Sequence, residues 1–373
     1  MLNIKYKYFS YLKFVYIINL VKINGGVYMK VENNLLNKLE NYPIGICGTS
    51  LGLITIGSAW QLNNIKFFKP VAIIFSIIAL ALMFLRIVKF PKKILEELKH
   101  PVLGSFYPTI DMALMLIAAY FLDVAPKIAE TVWLLCVAVH FILFIVFSIF
   151  RFKNFKLEDM VPSWFVIWIG VVVACVTSPG MGHDSLARLL FYFGFVLYII
   201  TWPIMLYRVY NHKAIEEHKL PTIGVMAAPA SLCIVGYTSA FTVINPVILW
   251  VLVIISFINL IIVYSYIIGF IKKGFAPTYA ALTFPLAISV MAAYKVSKYL
   301  GSGIWQSVFK TIGDIEIFIG TGVILYVVFN FLLLFIKAIN PRLEKDLEKE
   351  ESLLETTVKE EILPDSEVED LTK

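Results

Sequence analysis

The sequence predicts an all-α polytopic membrane protein, and both its composition and a repeated pattern support that fold class. Hydrophobic residues make up 60% of the chain and charged residues only 16%. The mean hydropathy of +0.82 is too high for a soluble globular protein. Prolines recur about every 60 residues, and each opens an apolar stretch long enough to cross a bilayer: Pro43, Pro101, Pro162, Pro221 and Pro277. This repeat predicts five tandem helical hairpins.

The two apolar stretches of each hairpin differ in character. The first is broken by glycine, proline or polar residues, whereas the second is mostly Ile, Leu, Val and Phe. Irregular backbone is tolerated at membrane depth only where protein or water satisfies it. We therefore predict ten transmembrane helices, with the five odd helices in an inner ring around a central pore and the five even helices in an outer ring. The predicted spans are Ile44–Trp60, Val71–Ile87, Leu103–Leu122, Ile128–Phe150, Val161–Thr177, Leu186–Tyr207, Thr222–Phe241, Val247–Ile271, Thr278–Tyr294 and Ile315–Ile336.

These spans predict a transmembrane domain at residues 43–338, between a cytoplasmic amino-terminal segment, residues 1–42, and an acidic cytoplasmic tail, residues 339–373. Lys13 and Lys22 interrupt the early apolar run, so we expect neither a span nor a signal peptide there. Residues 24–28 can be encoded by a purine-rich ribosome-binding sequence ahead of Met29. A prokaryotic start at Met29, with residues 1–28 not translated, is a hypothesis that amino-terminal sequencing would test.

The basic residues between spans predict the orientation. One set of alternate loops is rich in lysine and arginine: Arg86, Lys89, Lys92, Lys93, Lys99, Arg151, Lys153, Lys156, Arg208, Lys213, Lys219, Lys272 and Lys273. The opposite loops are poorer, with Lys66, Lys69, Lys127, Arg188, Lys298 and Lys310. Because cytoplasmic loops carry the excess of positive charge, both termini are predicted to be cytoplasmic in a multi-pass protein of the cell membrane. The net charge of +6 is thus a topology signal, and we predict no nucleic-acid partner.

The sequence gives no sign of an enzyme or of a bound cofactor. The cysteines all fall inside predicted spans, without a CxxC pair or a histidine at ligand spacing. We find no HExxH, GxSxG or P-loop motif and no paired catalytic carboxylates in the spans. We therefore predict no disulfide, no metal site, no cofactor and no catalytic residue.

Candidate pore-lining residues lie in the odd spans. Small residues permit close contact between helices, and such packing explains at least half of those in the first span. The others would expose backbone to a pore. The candidates from the first, third, fifth and seventh spans are Gly48, Gly52, Gly104, Pro108, Asp111, Gly170, Gly224 and Pro229.

Asp111 is the only carboxylate well inside any predicted span. An acidic side chain within the membrane is a candidate functional group by default. An Asp near a helix end is equally explained as a hydrogen-bonded structural residue, and the sequence leaves both interpretations open.

The ninth span contains the candidate gate. Pro285 removes a backbone donor and predicts a kink beside Phe284, where a bulky ring could plug a narrow pore. Helical spacing puts Phe284, Ile288 and Lys295 on one face, and Lys295 could concentrate anions near the mouth. A core phenylalanine and a snorkelling lysine explain the same spacing, which by itself favours that simpler interpretation. Thr283 and Pro285 complete the predicted lining around the gate.

The order of several short motifs resembles the tellurite-resistance/dicarboxylate transporter family, which includes plant guard-cell slow anion channels and yeast malate and sulfite carriers. The resemblance covers about residues 40–338 and rests on a glycine-rich first span, paired prolines in the seventh span, His100-Pro101, Trp164-Phe165 and Thr283-Phe284-Pro285. It implies a homotrimer with one pore in each protomer, and it implies that Phe284 is the gating phenylalanine that occludes the pore. The long phosphorylatable amino-terminal region of the plant channels is absent here, so kinase gating is not expected. Asp111 matches no motif of the family.

Two hypotheses for function follow. The first is an anion channel that passes small inorganic or organic anions through a pore occluded by Phe284, with selectivity from weak binding. The alternative is a proton-coupled carrier for a malate-like dicarboxylate, or an efflux transporter for sulfite or a tellurium oxyanion, with Asp111 as the proton-linked group. A carboxylate close to an anion path would repel anions unless it were protonated or paired.

Overall fold

The computed structural model describes residues 37–153, 155–271 and 274–339, and this part of the chain is helical without strands. The acidic tail, most of the amino-terminal segment, the Met29 start and the loop lysines 272 and 273 lie outside the described residues. The α-helices are α1 (Gly45–Leu62), α2 (Phe68–Lys89), α3 (Pro91–Lys99), α4 (Leu103–Phe106), α5 (Thr109–Tyr120), α6 (Pro126–Phe152), α7 (Trp164–Ile169), α8 (Val173–Thr177), α9 (Asp184–Tyr210), α10 (Ala228–Ala240), α11 (Pro246–Ile271), α12 (Thr283–Leu300) and α13 (Ile304–Ile339). Segments of 3-10 helix cover Leu39–Asn41, Leu157–Asp159, Gly170–Val172, Glu217–Ala227 and Pro277–Leu282.

Eight helical segments of the described chain are long and apolar enough to cross a membrane, and each overlaps one of the predicted spans. Of the other two predicted spans, the first is too polar and the fifth is too short. One is α1, in which glycine and hydroxyl residues dilute the apolar ones. The other is Trp164–Thr177, which is a shorter apolar helix. The prediction of a polytopic helical membrane protein is confirmed.

The segments fall into a buried group and an exposed group. The windows of Leu103–Tyr120, Glu217–Ala240 and Pro277–Leu300 are 61%, 94% and 89% buried, whereas those of the even spans are 28–44% buried. Most of α1 is buried too. The even helices expose large apolar side chains, such as Ile78, Ile142 and Ile254. Exposed apolar surface of this extent is typical of a membrane-facing or subunit-facing side.

Packing between the segments follows chain order. Among the buried segments, α1 contacts α5, α5 contacts α8, α8 contacts α10, α10 contacts α12, and α12 returns to α1. Each even helix packs on the buried segment of its own hairpin: α2 on α1, α6 on α5, α11 on α10 and α13 on α12, while α9 packs on α7, α8 and α10.

Four of the buried segments are interrupted. The third span divides into α4 and α5 at Pro108, and the fifth divides at the 3-10 turn that starts with Gly170. The seventh and ninth spans begin as 3-10 helix and become α-helix at Ala228 and Thr283. These changes occur where glycine and proline are concentrated, because proline interrupts the hydrogen-bond ladder of an α-helix and glycine weakens it.

The kink predicted at Pro285 does not lie within α12. Because α12 begins at Thr283, Pro285 lies in the first helical turn, where a backbone N–H has no partner within the helix in any case. The irregularity therefore lies before Phe284, in the 3-10 segment Pro277–Leu282, and α12 continues regularly after it.

Candidate functional site

A first cavity of about 430 Å³ lies where the buried segments meet. Thr109 carries the one polar side chain among its lining residues, and the Thr109 hydroxyl donates to Phe106 O at 2.7 Å. The cavity is otherwise apolar, and none of the described side chains that line it is charged. Its lining residues are Gly48, Leu51, Phe106, Thr109, Met112, Phe165, Val166, Ile169, Gly170, Val225, Ala228, Pro229, Leu232, Ala280, Ala281, Phe284 and Pro285.

A second cavity, of about 680 Å³, has a different chemistry. Its polar side chains are Thr55, Ser58, Thr177 and Lys69, and no carboxylate is among its lining residues in the described chain. Ile288 lines this cavity one helical turn after Phe284. The positive charge and the hydroxyl groups make it the more polar of the two.

Phe284 and Leu232 line both cavities. They therefore lie between the two spaces, with Phe284 on α12 and Leu232 on α10. The Phe284 side chain is buried, with 8% of its surface exposed. The contact between the two cavities is therefore apolar, made by a phenyl ring and an isobutyl group.

The backbone beside Phe284 is fixed against α1. The Thr283 hydroxyl donates to Ala280 O at 2.8 Å and to Gly48 O at 3.1 Å, which links α12 to the first span. A Cβ on Gly52 would lie 2.8 Å from Phe284 N and from Thr283 C, closer than such atoms can approach. Gly52 therefore permits direct contact between the two helices at the level of the ring.

A third cavity, of about 760 Å³, shares Phe106 with the first cavity. It lies near the basic loops and is lined by Arg86, Lys93 and Glu97 among others. The Arg86 guanidinium donates to both Glu97 carboxylate oxygens, at 2.9 and 2.5 Å, and its Nε donates to Glu40 O at 3.0 Å. Tyr107 also donates to Glu97, at 2.7 Å. This charge pair is held rigidly beside the cavity.

Several of the residues predicted to line a pore lie together, and others do not. The first cavity brings together Gly48, Gly170, Pro229, Phe284 and Pro285. Thr283 and Gly52 lie behind the ring, at the contact between α1 and α12.

The remaining predicted residues have packing positions. A Cβ on Gly104 would lie 2.4 Å from Leu98 O, so this glycine permits contact with α3. A Cβ on Gly224 would meet the Leu282 side chain at 2.5 Å. Pro108 precedes the first turn of α5. None of these three lines the cavities described above.

Asp111 faces an outer helix. Its Oδ1 lies 2.7 Å from His140 Nδ1 on α6, and both side chains are buried. The other carboxylate oxygen of Asp111 and Nε2 of His140 have no hydrogen-bond partner among the described residues. Asp111 does not line the three cavities, and its neighbour His140 contacts Gly170.

Lys295 also lies outside the cavity walls. Its Nζ donates to Ser239 Oγ at 3.2 Å, which joins α12 to the end of α10. The cation that lines the second cavity is Lys69, at the start of α2. In the sequence Lys69 served only as a marker of topology, and nothing in its spacing indicates that it faces inward.

The sequence interpretation missed further residues. Leu232 lines the first and second cavities and Phe106 lines the first and third, and no sequence pattern separates either from other core residues. Glu316 was missed because the last span was predicted to start at Ile315, whereas α13 begins at Ile304. Glu316 is therefore, like Asp111, a buried carboxylate well inside a helix. It lines a separate cavity of about 330 Å³ together with Ser256 and Ser289.

No group of three or more His, Cys, Asp or Glu side chains in the described chain could hold a metal ion. The four cysteines are free and buried.

A helical membrane protein whose buried segments enclose a row of cavities has the architecture of a transport protein. Comparison with protein families defines the class further. The family model described as SLAC1, voltage-dependent anion channel, matches residues 41–336, so the chain belongs to the SLAC1 family of anion transporters and channels. The family resemblance predicted from the sequence is confirmed, and this family consists of transporters and channels, which are not enzymes.

Individual relatives agree with this assignment. Two proteins of Methanocaldococcus jannaschii are named uncharacterized transporters. One is 25% identical over 343 residues, which cover 83% of this chain and 96% of the relative. The other is 24% identical over 314 residues, covering 73% and 90%. A tellurite resistance protein TehA homolog of Haemophilus influenzae is 26% identical over 227 residues, covering 56% of this chain and 67% of the relative.

Proposed function

We propose that this protein is a passive anion channel whose path runs through the third, first and second cavities and is closed by Phe284. The observation that carries this proposal is the position of Phe284, which lines both the first and the second cavity and is buried between them. Phe106 lies between the third and first cavities in the same way, so the path towards the basic loops would pass its ring as well.

In this proposal ten spans form two layers within residues 43–338. The five odd segments surround the path, in line with the cyclic order of contacts from α1 through α5, α8, α10 and α12 back to α1. The even helices face lipid. The excess of basic residues near the third cavity supports a cytoplasmic position for that end and for both termini, in a cell membrane. The second cavity would then open to the outside.

The chemistry of the walls suits weak anion binding. The first cavity offers an apolar wall with one hydroxyl, so an anion there would be held loosely and released quickly. Wall carboxylates would repel anions, and the first and second cavities have none among their described lining residues. Once the Phe284 ring moved aside, an anion would meet no repulsion from a carboxylate in the described walls of these two cavities.

Current across planar bilayers tests the gate. Phe284→Ala should greatly raise the anion current, which should reverse near the chloride potential under a chloride gradient. Phe147→Ala is the matched control, because Phe147 is buried on α6 but lines none of the three cavities. Well-inserted Phe284→Ala protein with wild-type current would refute the gate, and an equal increase in Phe147→Ala would attribute the current to loosened packing.

A coupled carrier is the second candidate function, with a dicarboxylate, sulfite or a tellurium oxyanion as substrate. The buried pair of Asp111 and His140 favours it, since intramembrane acids and histidines form proton relays in transporters. Vesicle uptake driven by a pH gradient, and abolished by Asp111→Asn in folded protein, would support this function. Retained pH coupling in that variant would exclude Asp111 as the proton-linked group.

We also infer a homotrimer from the family resemblance. Native mass spectrometry of the protein in detergent should find three chains, and a monomer that conducts would refute a requirement for assembly.

A further inference from the structure

The ammonium group of Lys69 lies in the wall of the second cavity. It has neither a hydrogen bond nor an ion pair with a described residue. The aromatic face of Tyr120 lies 5.6 Å from Nζ and stabilises the cation without using its N–H donors. An ammonium carries three such donors, so Lys69 has the capacity to bind an anion.

The packing of α2 on α1 places this lysine beside hydroxyl groups. A Cβ on Gly57 would lie 2.9 Å from Lys69 Cα, so Gly57 permits the start of α2 to touch α1. Thr55 and Ser58 line the same cavity, and their hydroxyls donate to Leu51 O at 2.8 Å and Ile54 O at 2.9 Å. A hydroxyl rotates freely and can turn its proton to an anion instead.

We propose that the second cavity is a binding site for a small monovalent inorganic anion, such as chloride or nitrate, with Lys69 as its cation and Thr55 and Ser58 as hydroxyl donors. This inference rests on the proposed function and assigns the residues that bind the anion on that path. Lys69 is the one charged side chain among the described lining residues, and most of the wall is apolar. A doubly charged anion would therefore keep one charge unbalanced against an apolar wall, which is costly.

The site lies directly beside the constriction, because Phe284 and Ile288 line the same cavity. A fixed charge in a cavity with low-dielectric walls concentrates counter-ions. Lys69 would thus raise the anion concentration beside the gate and favour singly charged over doubly charged anions.

Conductance measured in the Phe284→Ala background tests the role of the charge. Lys69→Gln should lower chloride current by about tenfold at 0.01 M salt, because focusing is strong there, and by little at 1 M salt, where the Debye length is about 3 Å. Lys69→Arg should retain the current and the preference for nitrate over sulfate. Lys66→Gln is the control, because Lys66 is exposed and does not line the cavity. Equal currents for Lys69→Gln and its parent at 0.01 M would overturn the proposal.

A binding measurement on the wild-type protein tests the anion site independently of the gate. Chloride and nitrate should slow the reaction of Lys69 with an amine-reactive reagent, measured by peptide mass spectrometry, relative to Lys66 in the same sample. Sulfate at equal ionic strength should not. Equal rates at Lys69 in all three salts would refute the site even if Phe284→Ala conducts, whereas selective protection with no current in Phe284→Ala would support the site and refute the channel.

Discussion

Gly52 lies directly against the backbone of Phe284. A Cβ at position 52 would be 2.8 Å from Phe284 N, and α1 therefore supports the residue between the first and second cavities from behind. The ring position depends on this helix contact as well as on the ring's own packing, because Thr283 also donates to Gly48 O.

Gly52→Ala should force α1 and α12 apart, because backbone atoms have no room to yield to a methyl group. Overpacking of this kind costs about 1–3 kcal/mol, so the thermal unfolding temperature in detergent should fall. Gly48→Ala is the matched control, since its nearest neighbour would be Thr109 Cγ2 at 3.6 Å, an ordinary contact. Equal unfolding temperatures for Gly52→Ala and Gly48→Ala would contradict the close approach.

Side-chain volume at the constriction should set the conductance. Phe284→Leu should give a current between those of wild type and Phe284→Ala. Leu232→Ala should give a smaller increase than Phe284→Ala, since a smaller side chain is removed from the same place. Single-channel recording of the three variants checks the order, and a current independent of volume at position 284 would argue against a steric gate.

Glu97→Ala should destabilise the protein strongly, because it leaves the buried Arg86 guanidinium without its carboxylate partner. Breaking such a pair costs about 3–5 kcal/mol. Tyr107→Phe removes one hydrogen bond to Glu97 and should cost about 1 kcal/mol. Thermal unfolding in detergent measures both, and the exposed neighbour Glu96→Ala should match wild type. A loss in Glu97→Ala no larger than that in Glu96→Ala would contradict this account.

The pair of Asp111 and His140 separates the two candidate functions. Asp111→Ala should lower stability by about 3–5 kcal/mol, because one partner of a buried pair remains. The double variant Asp111→Leu/His140→Leu should recover much of that loss, since apolar replacement of both partners is often neutral.

The same double variant, combined with Phe284→Ala, should conduct like Phe284→Ala alone if the protein is a channel. Loss of conductance in a folded double variant would assign the pair a role in permeation, and loss of pH-driven uptake in the wild-type background would favour the carrier.

The sequence predicted much of the fold because the length of each apolar segment and the prolines between segments can be read locally along the chain. Eight of the predicted spans coincide with apolar helices, and the contrast between broken and uniform segments matches the contrast in burial. The start of the last helix was misplaced because the turns before Ile315 contain Lys310 and Asp314. These two pair four residues apart on the helix surface, at 2.6 Å, so a polar stretch remains helical.

The candidate site was predicted only in part. Phe284 and Ile288 follow from helical spacing, which is readable along one segment. The inward position of Lys69 depends on Gly57 bringing α2 against α1, and the partner of Asp111 lies 29 residues away on another helix. Such relationships depend on how helices rotate about their axes when they pack, and hydropathy does not report that angle.

The 3-10 segment Pro277–Leu282 has a mechanical consequence for the ring that follows it. Its six residues span about 12 Å as 3-10 helix and about 9 Å as α-helix. Rewinding them would move Phe284 about 3 Å along its axis and turn it by about 120°. Pro285 opposes that screw motion, because an extended α-helix would need the N–H that proline lacks and would press its ring on Ala281 O. The proline therefore fixes both the position of the phenyl ring along the helix axis and its orientation about that axis.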